Sequence, residues 1–264
     1  MRSKVLIFLG LALLVNLWAL ILFAQDGESK GQLLWVHADV VTPSKVAQYE
    51  AAVKELVAQF AMHKFAVPFQ TYMQDDFHYI YVSPLDNFSS LDNLEKAVAE
   101  FNKKQGKEKS EELDKRFAGT FEHHQTFVSR HMTDLSYDPA QPRIKIEEAG
   151  FRHWEYYYIE AGKEKEIREI AKAYLELFKS KNIPDGYNLF MREMGSEMPL
   201  VVVVTWGKNA PDYSSETEKI DAMLGEEGKA LAARAMAITR KFEQKDGWAR
   251  PDLSYMPTTE TSVK

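Results

Sequence analysis

Between residues 33 and 41, Leu34, Val36, Ala38 and Val40 alternate with Trp35, His37 and Asp39. A period of two marks a strand with two unlike faces. From 43 to 64 the period changes to that of a helix. Val46, Tyr49, Val53, Leu56, Val57 and Phe60 share one side, Thr42 can cap the start, and Pro43 suits the first turn. Two strands are expected next, at 69–74 and 77–82, joined by Asp75-Asp76. Residues 90–104 and 108–129 read as two helices broken near Gly106.

The pattern then recurs. Thr133-Asp134-Leu135-Ser136-Tyr137-Asp138-Pro139 matches Pro251-Asp252-Leu253-Ser254-Tyr255-Met256-Pro257, and the two Asp-Leu-Ser-Tyr motifs lie 118 positions apart. The same offset carries the first strand onto an aromatic-rich one at 152–160. It carries the first helix onto 163–181, where Ile167, Ile170, Ala171, Tyr174 and Phe178 continue the apolar stripe. Strands at 187–192 and 200–205 and helices at 214–223 and 227–244 complete the second copy, and each motif is expected to form the last strand of its copy. The order strand, helix, strand, strand, helix pair, strand is the split βαβ arrangement.

The sequence therefore predicts an α+β chain: tandem ferredoxin-like βαββαβ repeats at 31–138 and 151–258, joined by a linker at 139–150. Each repeat leaves one sheet face bare, so the two are expected to pack sheet to sheet as an intramolecular α+β barrel. Over residues 31–258 this pattern resembles the dimeric α+β barrel superfamily. That resemblance implies a choice among monooxygenases, haem-binding peroxidases and chlorite dismutases, isomerases, and stress-response proteins, because one fold carries many activities.

Residues 5–24 are uncharged and follow Arg2 and Lys4. This reads as a signal peptide ending at Ala24, with a membrane anchor as the alternative, so the body is expected to be exported, periplasmic or secreted. A membrane is expected as a partner only through this segment. The chain holds 33 basic and 39 acidic residues, a formal net charge of −6, with no basic cluster; nucleic acid is not expected as a partner. Cys is absent from the composition, which excludes disulfides, thiolate metal sites and a Cys nucleophile.

Strand parity supplies the candidate chemistry. If the apolar face lies under the helices, the other face lines the space between the sheets. The expected ligand-binding lumen then contains His37, Asp39, Tyr72, Tyr79, Tyr81, Glu155, Tyr157 and Arg192. His37 or Glu155 near a tyrosine hydroxyl suits acid–base chemistry, and Arg192 suits an anionic group or a pair with Glu155. No metal site and no cofactor are expected from motifs. The helix at 108–129 would carry His123, His124 and, if it extends, His131, any of which could serve as an axial haem ligand. The main functional expectation is an exported, non-catalytic barrel that either binds a small-molecule ligand or is stress-associated. The alternatives are a cofactor-independent, monooxygenase-like enzyme for small aromatic molecules and a haem-binding barrel.

Overall fold

The alternation at 33–41 becomes β1 (Gln32–Val41) in the computed structural model, which describes residues 31–257. The expected leader lies outside the described residues. A single 3-10 turn at Pro43–Lys45 leads into α1 (Val46–Met62). Then follow β2 (Gln70–Gln74), β3 (His78–Leu85), α2 (Ser90–Gln105), α3 (Lys107–Phe117) and β4 (Phe121–His131). The remainder comprises β5 (Phe151–Ile159), α4 (Glu164–Lys181), β6 (Asn188–Met194), β7 (Leu200–Gly207), α5 (Ala210–Ala237) and β8 (Thr239–Ala249). Charge placement favours α4: Glu164 and Glu166 sit in its first turn and Lys179 and Lys181 in its last, and Asn182 ends it in the left-handed region. Among the described residues no helix is long and apolar enough to cross a membrane.

The strands form one closed antiparallel barrel in the order β1-β3-β2-β8-β5-β7-β6-β4. This overturns the expected pair of sheets stacked face to face. The first four strands run β4-β1-β3-β2 and the last four β8-β5-β7-β6, and the two sets meet along their edges. At one seam β2 pairs with β8 through Tyr72↔Ala249, Met73↔Trp248 and Gln74↔Gly247. At the other, β4 pairs with β6 from Val128↔Met194 to His131↔Phe190, with a bulge between Val128 and Ser129. Edge pairing satisfies the backbone groups that an open sheet leaves unmet, which stacking faces does not.

Three element expectations are corrected with it. The helix expected over 108–129 ends at Phe117, and a strand starts at Phe121. Thr120 Oγ1 donates to the Phe117 carbonyl at 2.7 Å, and Gly119 has φ +71°, which together break the helix. The helices expected at 214–223 and 227–244 are instead α5, interrupted at Gly225, followed by β8. The Asp-Leu-Ser-Tyr motifs are turns after the last strand of each set, not strands. Leu135 and Leu253 are fully buried there. Ser136 Oγ accepts from the Leu189 amide and Ser254 Oγ from the Thr71 amide, both at 2.9 Å. Each serine thus stands in for a strand partner.

Closure also decides which face of each strand looks where. Trp154, Tyr156, Tyr158, Phe190, Leu200, Val202, Val204 and Tyr72 form a cluster drawn from strands alone, and this fills the barrel interior. The opposite faces pack under the helices. Tyr79, Tyr81 and Val41 meet Tyr49 and Val53 of α1, while Leu189, Met191 and Val201 meet Ile167, Ile170 and Ala171 of α4. The face of β1, β3 and β5 expected to line a lumen between sheets is therefore the outer one, whereas the faces of β2 and β6 that carry Tyr72 and Arg192 do look inward.

Candidate functional site

Parity in β1 and β3 aims Trp35, His37, Asp39 and Tyr81 outward, beneath α1. Together with Tyr49, Leu56, Phe60, Phe69 and Phe117 they line a cavity of about 200 Å³. A hydrogen-bonded chain crosses its wall. His37 Nε2 lies 3.0 Å from Asp39 Oδ1, and the Tyr49 hydroxyl donates to Asp39 Oδ2 at 2.5 Å. Tyr49 has one hydroxyl hydrogen, and Asp39 takes it. The Tyr81 hydroxyl, 2.7 Å from that of Tyr49, therefore donates to Tyr49. Tyr49 and Asp39 are buried, at 0% and 7% exposure, whereas His37 keeps 27% of its side chain in contact with solvent. The imidazole is held flat by Trp35, stacked at 5.9 Å with 14° between the ring planes.

This arrangement has a definite polarity. With Nε2–H directed at the carboxylate, the lone pair of His37 is on Nδ1. Nδ1 faces the Thr126 hydroxyl at 3.3 Å, a long contact that a bound hydroxyl can replace. Burial first, with the negative charge of Asp39 adding to it, pushes Tyr49 and Tyr81 far above the ordinary phenol range, so both stay protonated. Two groups of this chain can accept from a ligand hydroxyl, His37 Nδ1 and the Tyr81 oxygen, and Ser83 adds one more polar side chain to the lining. The wall otherwise is aromatic and aliphatic. It suits a flat apolar molecule carrying an acidic hydroxyl.

The other expected residues separate. Glu155 and Tyr157 lie on the outer face of β5 and line a second cavity of about 330 Å³ under α4 and α5. There the Tyr157 hydroxyl donates to Glu155 Oε2 at 2.8 Å. Tyr79 is buried beneath α1 and donates to Glu50 at 2.6 Å, outside either cavity's lining. Tyr72 and Arg192 face the barrel interior. Tyr72 donates to Gln70 at 2.9 Å, and the Arg192 guanidinium lies 3.3 Å from the centre of the Phe127 ring. Burial lowers Arg192 to about 10, and no pair with Glu155 forms. Sequence reasoning missed Tyr49 and Tyr187, both read as members of apolar stripes. Their signal was the hydroxyl itself, which needs a partner once buried.

His123 and His124 lie on a strand and are exposed, which removes the helical placement expected for them. His131 packs against Phe190 and reaches Ser136 Oγ at 3.2 Å. Among the described residues, no group of three or more His, Asp or Glu could hold a metal ion. The larger cavity has no histidine in its lining and four carboxylates, Glu155, Asp185, Glu216 and Asp221, a donor set that does not fit haem.

No family model matches the chain, and no curated protein matches it. Solved structures do. An anthrone oxidase-like protein aligns at a TM-score of 0.54 with 10% identity, covering 84% of this chain and 92% of its own. A monooxygenase-like protein from Fusobacterium nucleatum aligns at 0.51 with 12% identity, covering 83% and 92%. Another from Lactobacillus acidophilus aligns at 0.50 with 5% identity, covering 86% and 97%. All three share with this chain the α+β barrel fold described above. At such identities the likeness extends to the fold alone.

Proposed function

We propose that this protein is a monooxygenase-like enzyme that oxidises small phenolic aromatics, or their keto tautomers, at the cavity under α1. The observation that carries the reading is the His37–Asp39–Tyr49–Tyr81 chain, whose free acceptors open on an apolar aromatic wall. Asp39 orients His37 through Nε2, so His37 Nδ1 acts as the general base on a substrate hydroxyl or on an acidic ring CH₂. The resulting electron-rich anion reacts with dioxygen at ring carbon. The hydroperoxide formed takes back the proton from His37 and loses water to give a quinone. In balance, a phenol with a free para C–H and one O₂ become a quinone and one water, the substrate supplying all the electrons. The names of the structural neighbours support the same class. Oxygen uptake with 1-naphthol and anthrone tests the proposal. Uptake by the wild type is expected to fall by at least about 100-fold in His37→Ala, and equal uptake by the two proteins overturns the assignment. Export by residues 5–24 is likewise a proposal. A mature protein starting at Gln25 supports it as a cleaved leader, and a soluble, unexported product starting at Met1 contradicts it.

A further inference from the structure

We propose that the cavity under α4 and α5 is a second binding site, specific for a neutral polycyclic aromatic ketone or quinone whose carbonyl accepts a hydrogen bond from Tyr187. The inference goes beyond the oxidation proposed above and does not depend on turnover at His37. Four tyrosines line this cavity, and three have hydrogen-bond partners. Tyr157 donates to Glu155, Tyr174 donates to the Gly228 carbonyl at 3.1 Å, and Tyr213 meets Thr205 at 3.0 Å. The Tyr187 hydroxyl is buried and has no partner, and the residue as a whole is 5% exposed. An unmet buried hydroxyl is costly, so its presence in a cavity wall points to a partner that arrives with the ligand. Burial pushes the phenol of Tyr187 upward, which keeps it a donor. Phe178 meets its ring edge-on at 5.0 Å and holds its direction.

The remaining lining sets the ligand's body and charge. Ile167, Ile170, Leu189, Val201, Val203 and Trp206 give an apolar space of about 330 Å³, within the range of small-molecule sites. The lining has four carboxylates and no Lys, Arg or His. Arg143 answers Asp185 at 3.0 Å from outside the lining. Lys219 likewise answers Glu216 at 2.6 Å from outside, but the lining itself offers an anionic ligand no cation to bind. The positions matching His37 and Asp39 by the 118 offset are Glu155 and Tyr157, so the imidazole base has no counterpart. The site is built to hold a neutral carbonyl compound, not to deprotonate a phenol.

Equilibrium dialysis of the full chain against 9-fluorenone, fluorene and 9-fluorenone-4-carboxylate tests this. The ketone is expected to bind more tightly than the hydrocarbon, by roughly three- to tenfold for one hydrogen bond, and the carboxylate more weakly than the ketone. Tyr187→Phe should remove the advantage of the ketone and leave fluorene unchanged. Ala171→Trp, which fills the cavity, should abolish binding of both. Equal affinity for ketone and hydrocarbon, preference for the carboxylate, or ketone binding unaffected by both substitutions overturns the proposal. If Ala171→Trp does not fold, the wild-type ranking and Tyr187→Phe decide.

Discussion

Asp39 is the residue on which the proposed chemistry turns. It accepts from Tyr49 and from His37 while buried, and each partner answers part of the cost of placing a carboxylate there. Tyr49→Phe keeps the ring and deletes one donor. It is expected to lower unfolding stability by about 1–3 kcal/mol in a denaturant titration and to slow turnover, while Val46→Ala, which removes packing from the same cluster at a residue outside the cavity lining, should spare the chemistry. A second carboxylate cluster ties α1 to the end of β8. Arg250 pairs with Glu50 and Asp252, Lys54 reaches Asp252 at 3.1 Å, and these bonds hold both carboxyls below their ordinary values. The unfolded chain therefore binds protons first as acid is added. The stabilisation is complete above the ordinary carboxylate range, near about 4, and is lost as pH falls from there through the lowered values of the folded state. Melting temperature should decline on that acid limb, and Glu50→Gln should flatten the decline. His37 and Asp39 were legible from the sequence as polar positions on one face of a strand. Tyr49 was not, because helical spacing records that a side chain is buried but not what its hydroxyl does.

At the scale of elements, legibility followed the hydrophobic pattern. β1, α1, β5 and α4 were readable because each buries one regular stripe. β4 and β8 were not. Residues 122–126 are exposed, as are Arg240 and Lys241, so no apolar alternation marks them as strand. Their structure comes from backbone pairing, β4 with β1 and β8 with β5, over most of their lengths. The repeated Asp-Leu-Ser-Tyr motif was visible, but its role lies in long-range bonds from serine to a strand amide that local pattern does not encode. The seams carry their own demand. A side chain at Gly247 would place Cβ 2.1 Å from the Met73 carbonyl and 2.9 Å from the Trp154 ring, both fixed by pairing across β2 and β8. Gly247→Ala is expected to lower the melting temperature sharply, with a cost of at least about 2 kcal/mol from backbone displacement, and hydrogen exchange should quicken first at Met73 and Gln74. Unchanged exchange there would mean that the seam is looser than the pairing implies.

For the whole molecule, the mixture of helices and strands could be read from the chain, whereas the last strand of each set and the closure into one barrel could not. In a closed barrel both faces of each strand are covered, the inner by other strands and the outer by helices. Hydrophobicity then cannot say which face looks inward, and the larger apolar side chains of β5 fill the interior. The polar and aromatic outer faces of β1 and β5 are left to line two cavities beneath helices. Their chemistry differs: a histidine and carboxylate in one, a glutamate and tyrosine in the other. The formal charge of −6 describes the whole chain, while the local balance at each cavity governs what can enter. In the proposed reaction the cavity holding His37 directs dioxygen onto a phenolic ring. The most direct test is turnover of 1-naphthol under ¹⁸O₂, with mass analysis of the quinone. One labelled oxygen is expected in the quinone and the second in water, with this product lost in His37→Ala. A quinone without label, or labelled quinone formed equally by His37→Ala, contradicts the proposed reaction.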